Sequence, residues 1–258
     1  MSRTGESSAK PVEGTLKRHD ARVRPVRLRR EEHRFFTGLA VAALLVTVAG
    51  FARTYLLVPA LGLPEGNPPF TPLVHAHAAV AFAWCLLFVV QTGLVATGRT
   101  ALHRRLGVAG VALYGALVVL GPWVAIRSVA RQGSPVDELA FLSVSLGNIV
   151  AYTLLFGAAI AARGIPAVHK RLMVLGVVAM LTAPFGRLTN LPLLLDHVVG
   201  PGLFVVALAL WDRRALGRLH AVTRLGGPLI LLWELAPLTY GYSSWWLATA
   251  RELVALAL

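Results

Sequence analysis

The sequence is poor in the residues that give soluble proteins their surface. Only 14% of its 258 residues are charged, against about a quarter in soluble domains. Its one cysteine, Cys85, excludes an intramolecular disulfide, a thiolate metal cluster and a CxxC redox pair together. Lysine occurs only at Lys10, Lys17 and Lys170. None lies deep in the last apolar block, so a retinal Schiff base of the rhodopsin kind has no amine to form on. The chain also lacks a P-loop, a glycine-rich dinucleotide loop, a GxSxG elbow and an HExxH pair. Acidic residues are scarce as well, 12 against 25 basic ones, for a formal charge of +13.

What fills the chain instead is apolar residue in long blocks. Hydrophobic residues make up 56% of it, and the mean hydropathy is +0.67. A bilayer-spanning helix needs about 20 mostly apolar residues, and such blocks follow one another over residues 35–58, 72–98, 106–126, 139–162, 172–188, 198–211 and 225–250. The fold class read from this pattern is all-α, a polytopic membrane bundle of about seven helices. The 198–211 block is short unless 191–196 is added. The 225–250 block contains Pro228 and Pro237, which membrane helices tolerate when neighbours satisfy the freed carbonyls.

The positive charge is placed for topology rather than for nucleic acid. Ten basic residues lie in the first 34 positions. Others cluster at Arg99, Arg104 and Arg105, at Arg163, Lys170 and Arg171, and at Arg213, Arg214, Arg218 and Arg224. The alternate connections carry Glu65, Asp137, Glu138 and Asp196 against Arg127, Arg131 and Arg187. The positive-inside rule then puts the N-terminus and the arginine-rich loops in the cytoplasm and the C-terminus outside. The expected location is a bacterial cytoplasmic (inner) membrane, with the first block as an uncleaved signal anchor. Residues 1–34 have no apolar face to bury and are expected to form a disordered or surface-lying basic tail, with 35–258 as the bundle. The expected partners are the lipid bilayer and anionic headgroups at the tail and loops; no nucleic acid is expected.

Two sets of polar residues could carry chemistry. Histidines stand near helix ends, His75, His77 and His197 towards one side and His103, His169 and His220 towards the other. A neutral imidazole is the usual axial ligand of a b-type haem, and such a haem needs one histidine from each of two facing helices. His103 with His169, or His75 or His77 with His197, could supply that pair. His75 and His77 are two apart, about 200° around a helix, and cannot both face one ligand. Gly107, Gly110, Gly115 and Gly176 would leave room for a flat macrocycle. The plainer alternative is interfacial histidines snorkelling beside their basic neighbours, with the glycines serving helix packing.

The second set is intramembrane. Glu234 falls near the middle of the last block, where an ionised carboxylate is costly unless paired or protonated. Arg53 and Arg187 are its candidate partners, and Gln91 and Asn148 add polarity within other helices.

A weak internal repeat links these features: Leu102-His103-Arg104-Arg105-Leu106-Gly107 recurs approximately as Val168-His169-Lys170-Arg171-Leu172-Met173, with an echo at Leu219-His220 followed by Arg224-Leu225-Gly226. A histidine opening the second helix, those two motifs and Arg187 late in the helix of the second together resemble the bacterial multi-pass membrane proteins grouped as a domain of unknown function, the 2306 type, over about residues 72–190. The resemblance implies a multi-helix bundle and no particular activity. More loosely, the histidines are similar to those of di-haem b-type transmembrane cytochromes, an analogy that reaches only His75 or His77, His103 and His169. Three functions stay open on the sequence: a haem b electron-transfer protein, a carrier of a small solute or proton using Glu234, and a non-catalytic assembly or partner-binding component.

Overall fold

The computed structural model describes residues 11–62, 70–189 and 193–257. Glu65 lies outside them, as do the first ten residues of the tail and the side chain of Asp196. Among the described residues the chain is all α, without a strand. Seven long helices carry the fold: α1 (Pro11–Phe51), α3 (Pro72–Ala96), α4 (Thr100–Arg131), α5 (Val136–Ala161), α6 (Pro166–Thr189), α7 (Leu193–Leu216) and α8 (Ala221–Tyr240). A π-helical turn over Ala52–Leu56 and the short α2 (Val58–Leu61) follow α1, and α9 (Ser244–Ala255) ends the chain. Five segments are long and apolar enough to cross a bilayer: Arg27–Leu56, Pro72–Ala96, Thr100–Arg131, Val136–Gly164 and Pro166–Leu188.

Local chemistry sets the helix ends. Thr71 caps α3, its hydroxyl accepting from Val74 N at 3.3 Å, and Pro72 fills the first helical position, where an N–H would be idle. Asp137 and Glu138 sit in the first turn of α5, the positive end of its dipole. Glycine is required at Gly98 and Gly217, which end α3 and α7 with φ of 77° and 69°.

Helix α6 is the axis. More than half of its apolar window (56%) is enclosed, against 11% for α3 and for α4, and α1, α5, α7 and α8 pack around it. At the α1–α6 crossing a Cβ on Gly50 would stand 2.6 Å from Pro184 Cα, so only glycine permits that approach. The main core joins Phe36 and Ala40 of α1, Trp84 and Phe88 of α3, Tyr152 and Phe156 of α5, and Leu175 and Val178 of α6. Outward, the bundle presents apolar stripes such as Leu203, Val206 and Leu210 on α7 and Leu225, Leu229 and Leu232 on α8. An apolar outer surface of this kind suits lipid, not water.

Two expectations need correcting. The 225–250 block is not one helix: it breaks at Gly241-Tyr242-Ser243 into α8 and α9. Gly241 is pressed against the Ala140 carbonyl, and the Ser243 hydroxyl starts α9 by accepting from Trp246 N at 3.3 Å. At 12 residues α9 is about 18 Å long, too short to cross. It packs Trp246, Ala250 and Val254 on Leu139 and Leu142. The second concerns the tail: α1 already begins at Pro11, so residues 11–34 are helical. Near the bundle they are tied down by ion pairs, Glu31 with Arg214 at 2.9 Å and Glu32 with Lys170.

Candidate functional site

The two ends of the bundle differ in kind. One carries the starts of α4, α6 and α8 with their arginines; the other carries the ends of α1, α4 and α6 and the start of α3. A cavity of about 810 Å³ opens in the arginine-poor half, within the range of small-molecule sites. Its wall is mostly apolar and aromatic, with Phe51, Tyr55, Phe70, Phe82 and Phe141. Its polar groups include His77, His197, Arg131, Glu138 and Arg187, together with the buried Asn148 and Thr182.

Behind Asn148 and Thr182 lies Glu234, fully enclosed at 0% exposure. The Asn148 amide is oriented by the network around it. Its nitrogen donates to Glu234 Oε2 at 2.9 Å and to the Val144 carbonyl at 3.2 Å, and its oxygen accepts from the Thr182 hydroxyl at 2.5 Å. Glu234 Oε1 has no hydrogen-bond partner. Three helices, α5, α6 and α8, thus meet in one small polar group inside an otherwise apolar core. One neutral amide stands beside this enclosed carboxyl, and among the described residues no cation pairs with it.

Neither arginine expected beside Glu234 pairs with it. Arg53 is exposed in the π-helical turn after α1. Arg187 lines the cavity instead, its Nη1 donating to the Ala183 carbonyl of its own helix at 2.8 Å and its guanidinium lying 4.6 Å over the Phe51 ring. Arg187 makes no ion pair among the described residues.

The histidines separate as their spacing requires. His77 points into the cavity with His197, whereas His75 is exposed and shares a 2.8 Å hydrogen bond between its Nδ1 and the Tyr55 hydroxyl. At the other end His169 donates from Nδ1 to the Ala159 carbonyl at 2.8 Å, and His103 is half-buried on α4, near enough to interact with it electrostatically. The glycines expected to make room there are already filled or lipid-facing. Gly107 and Gly110 face Gln91 and Leu87 of α3, Gly176 packs on Leu155 and Phe156 of α5, and Gly115 meets nothing. Gln91 is on this half too, well away from Asn148. Among the described residues no three histidine, cysteine or acidic side chains gather as a metal site would need.

A second polar centre escaped the sequence. Arg171 and Asp212 are paired in the arginine-rich half with their side chains 3% and 0% exposed. Asp212 Oδ1 accepts from Arg171 Nε at 3.0 Å and from Nη2, and Oδ2 accepts from the His220 backbone N–H at 3.0 Å. His220 in turn caps α8, its Nδ1 accepting from Val222 N at 3.2 Å. Burial, then the neighbouring Arg171, hold the His220 imidazole below its ordinary value of 6.5. The cluster bolts α6, α7 and the start of α8 together. An acid between Trp211 and Arg213-Arg214 was the signal available for it.

Comparison with family models, with curated proteins and with solved structures finds no match to this chain. The fold and the apolar helices define the class, an all-α integral membrane protein, and its activity has to be argued from the cavity.

Proposed function

We propose that this chain is a proton-coupled carrier of a small solute in a bacterial cytoplasmic membrane, with its solute cavity in the outward half of the bundle. One observation carries the reading: a cavity large enough for a metabolite ends at Asn148 and Thr182, with a single enclosed carboxylate, Glu234, bonded directly behind them. A protonatable carboxyl one hydrogen bond behind the floor of a solute-sized cavity is the part a proton-coupled carrier needs. Towards the arginine-rich end the path is shut by Leu175, Val178, Leu208 and Ile230, all 3% exposed or less, and then by the Arg171–Asp212 pair.

The orientation belongs to the same proposal. With α7 and α8 crossing as well, their lipid-facing leucine stripes and the alternation of basic connections support seven crossings, N-terminus inside and C-terminus outside. The basic loops then face anionic headgroups. The resemblance to the 2306-type membrane proteins is compatible with this reading and adds no activity to it.

The test is proton flux in proteoliposomes loaded with a pH-sensitive dye. On addition of a panel of small anionic, neutral and cationic solutes, at least one should acidify the lumen in a protein-dependent way. Glu234→Gln should abolish that signal while leaving solute binding in place. No response to any solute, or a response indifferent to Glu234→Gln, would overturn the proposal.

A second reading has one observation in its favour, that His77 on α3 and His197 on α7 line the same cavity. These two could hold a b-type haem, and a Soret band that sharpens on dithionite reduction and is lost in His77→Ala would establish it.

A further inference from the structure

We propose that the ligand of this cavity is a small amphipathic carboxylate whose carboxylate group pairs with Arg187. The inference rests on reading the cavity as a solute site and goes further by naming the solute's chemistry. Arg187 is a permanent charge on the wall of a mostly apolar cavity. Its observed partners are both neutral, a carbonyl of its own helix and the Phe51 ring. Arg187 is exposed in the last turn of α6, where an incoming ligand can reach its guanidinium. Glu234 is engaged by Asn148 on the far side of the cavity floor, and Glu138, the one carboxylate on the cavity wall among the described residues, shares that wall with Arg131. An incoming carboxylate would supply the missing partner, in the two-pronged geometry that guanidinium and carboxylate share.

The rest of the wall decides what the carboxylate is attached to. Phe82, Phe141, Val74 and Ile149 face the same space and offer nothing to a fully polar ion. An aryl or short alkyl body would bury apolar surface there. Inorganic phosphate is a poorer fit, since it has no apolar part to bury against these side chains.

Isothermal titration of the purified full chain in neutral detergent tests this with benzoate, hexanoate, benzamide and inorganic phosphate as probes. Benzoate or hexanoate should bind saturably, and benzamide, which keeps the ring and loses the charge, should bind at least tenfold more weakly. Arg187→Gln should weaken carboxylate binding by roughly 10- to 100-fold, the scale of a hydrogen bond to a charged group. Arg187→Lys should recover only part of the loss, because a point charge lacks the fork. The benzoate–benzamide comparison uses the unaltered protein, so it stands even where a variant misfolds. Equal binding of benzamide and benzoate, preference for phosphate, or no carboxylate binding at all overturns the inference. Carboxylate binding without Glu234-dependent proton flux leaves it standing and removes the carrier, whereas flux driven only by neutral or cationic solutes does the reverse.

Discussion

The buried Arg171–Asp212 pair permits a sharp test of what holds the arginine-rich half together. Asp212→Ala removes the acceptor of three hydrogen bonds, from Arg171 Nε, Arg171 Nη2 and the His220 N–H. It leaves a guanidinium 3% exposed whose remaining partner is the Ala167 carbonyl at 2.7 Å. Breaking a buried pair from one side costs about 3–5 kcal/mol, mostly through the stranded charge. For a chain of this size that corresponds to a fall of roughly 10 °C in melting midpoint. The assay is tryptophan-fluorescence melting in detergent, with Trp211 adjacent to the lesion as a local reporter. Asp212→Asn keeps the shape and one acceptor and should fall in between. The double variant Arg171→Met with Asp212→Leu should recover most of the loss, because no charge is left without a partner. An Asp212→Ala protein melting within about 2 °C of the parent would refute the argument. So would a double variant less stable than Asp212→Ala alone.

Other consequences follow from the same packing. Gly50→Val forces a side chain against the Pro184 backbone, which cannot yield, and should cost about 1–3 kcal/mol, whereas Gly115→Ala, with nothing within 4 Å, should be neutral or slightly stabilising in the same melt. The His220 cap needs an unprotonated Nδ1. Its pKa is lowered on folding, so the unfolded chain binds more protons through the titration: the contribution is present above pH 6.5 and lost as pH falls below it. Melting midpoints should therefore drop from pH 7 to pH 5, and His220→Asn, which retains a cap acceptor, should reduce that drop. In a Cys85→Ala background, Val136→Cys and Tyr242→Cys should react with an impermeant maleimide on intact cells and Thr97→Cys only after permeabilisation; the opposite pattern would invert the proposed orientation.

How much of this was legible in the sequence depends on which force set each feature. Block lengths announced the long helices because a bilayer demands long apolar runs, and the 72–98 block matches α3 within two residues. Glu234 and Asn148 were visible as polar residues in apolar surroundings. Their direct contact was not, because it depends on how α5 and α8 are rotated around α6. Arg187 and Arg53 looked like partners for Glu234 through charge alone, yet the structure satisfies the acid with an amide and leaves Arg187 on the cavity wall. The α8–α9 break was missed because Gly241-Tyr242-Ser243 interrupts hydropathy only briefly. What makes it a break is the Ala140 carbonyl against Gly241, a tertiary contact. The helical start at Pro11 was missed because a basic stretch with no apolar face gives no periodic signal.

The relation between the two polar centres is written in the sequence, once the helices are aligned. On α6, Arg171, Leu175, Val178 and Thr182 follow one face at spacings of four, three and four. On α8, Thr223, Gly227, Ile230 and Glu234 repeat the same spacing. Both helices run from the arginine-rich end to the arginine-poor end, so the stripes lie side by side in matching order. Each starts beside the Asp212 cluster, passes two apolar or small layers with Leu175 lying against the adjacent Gly226, and ends in the Glu234 group. Eleven residues of helix span about 16 Å, roughly half the hydrocarbon thickness of a bilayer. For a carrier, that separation is the thickness of the closed gate. Under the proposed carrier reading, moving a proton or solute past Glu234 would require α8 to part from α6 along this stripe. Small residues at 226 and 227 leave the layers little to disengage, whereas the Arg171–Asp212 pair resists at the far end. Weakening that pair without stranding a charge should therefore speed exchange between outward- and inward-open states even where it barely alters the melting midpoint. Solute exchange by the Arg171→Met, Asp212→Leu double variant, measured against the parent in proteoliposomes, separates a gate from a mere brace: a brace predicts unchanged exchange at equal stability.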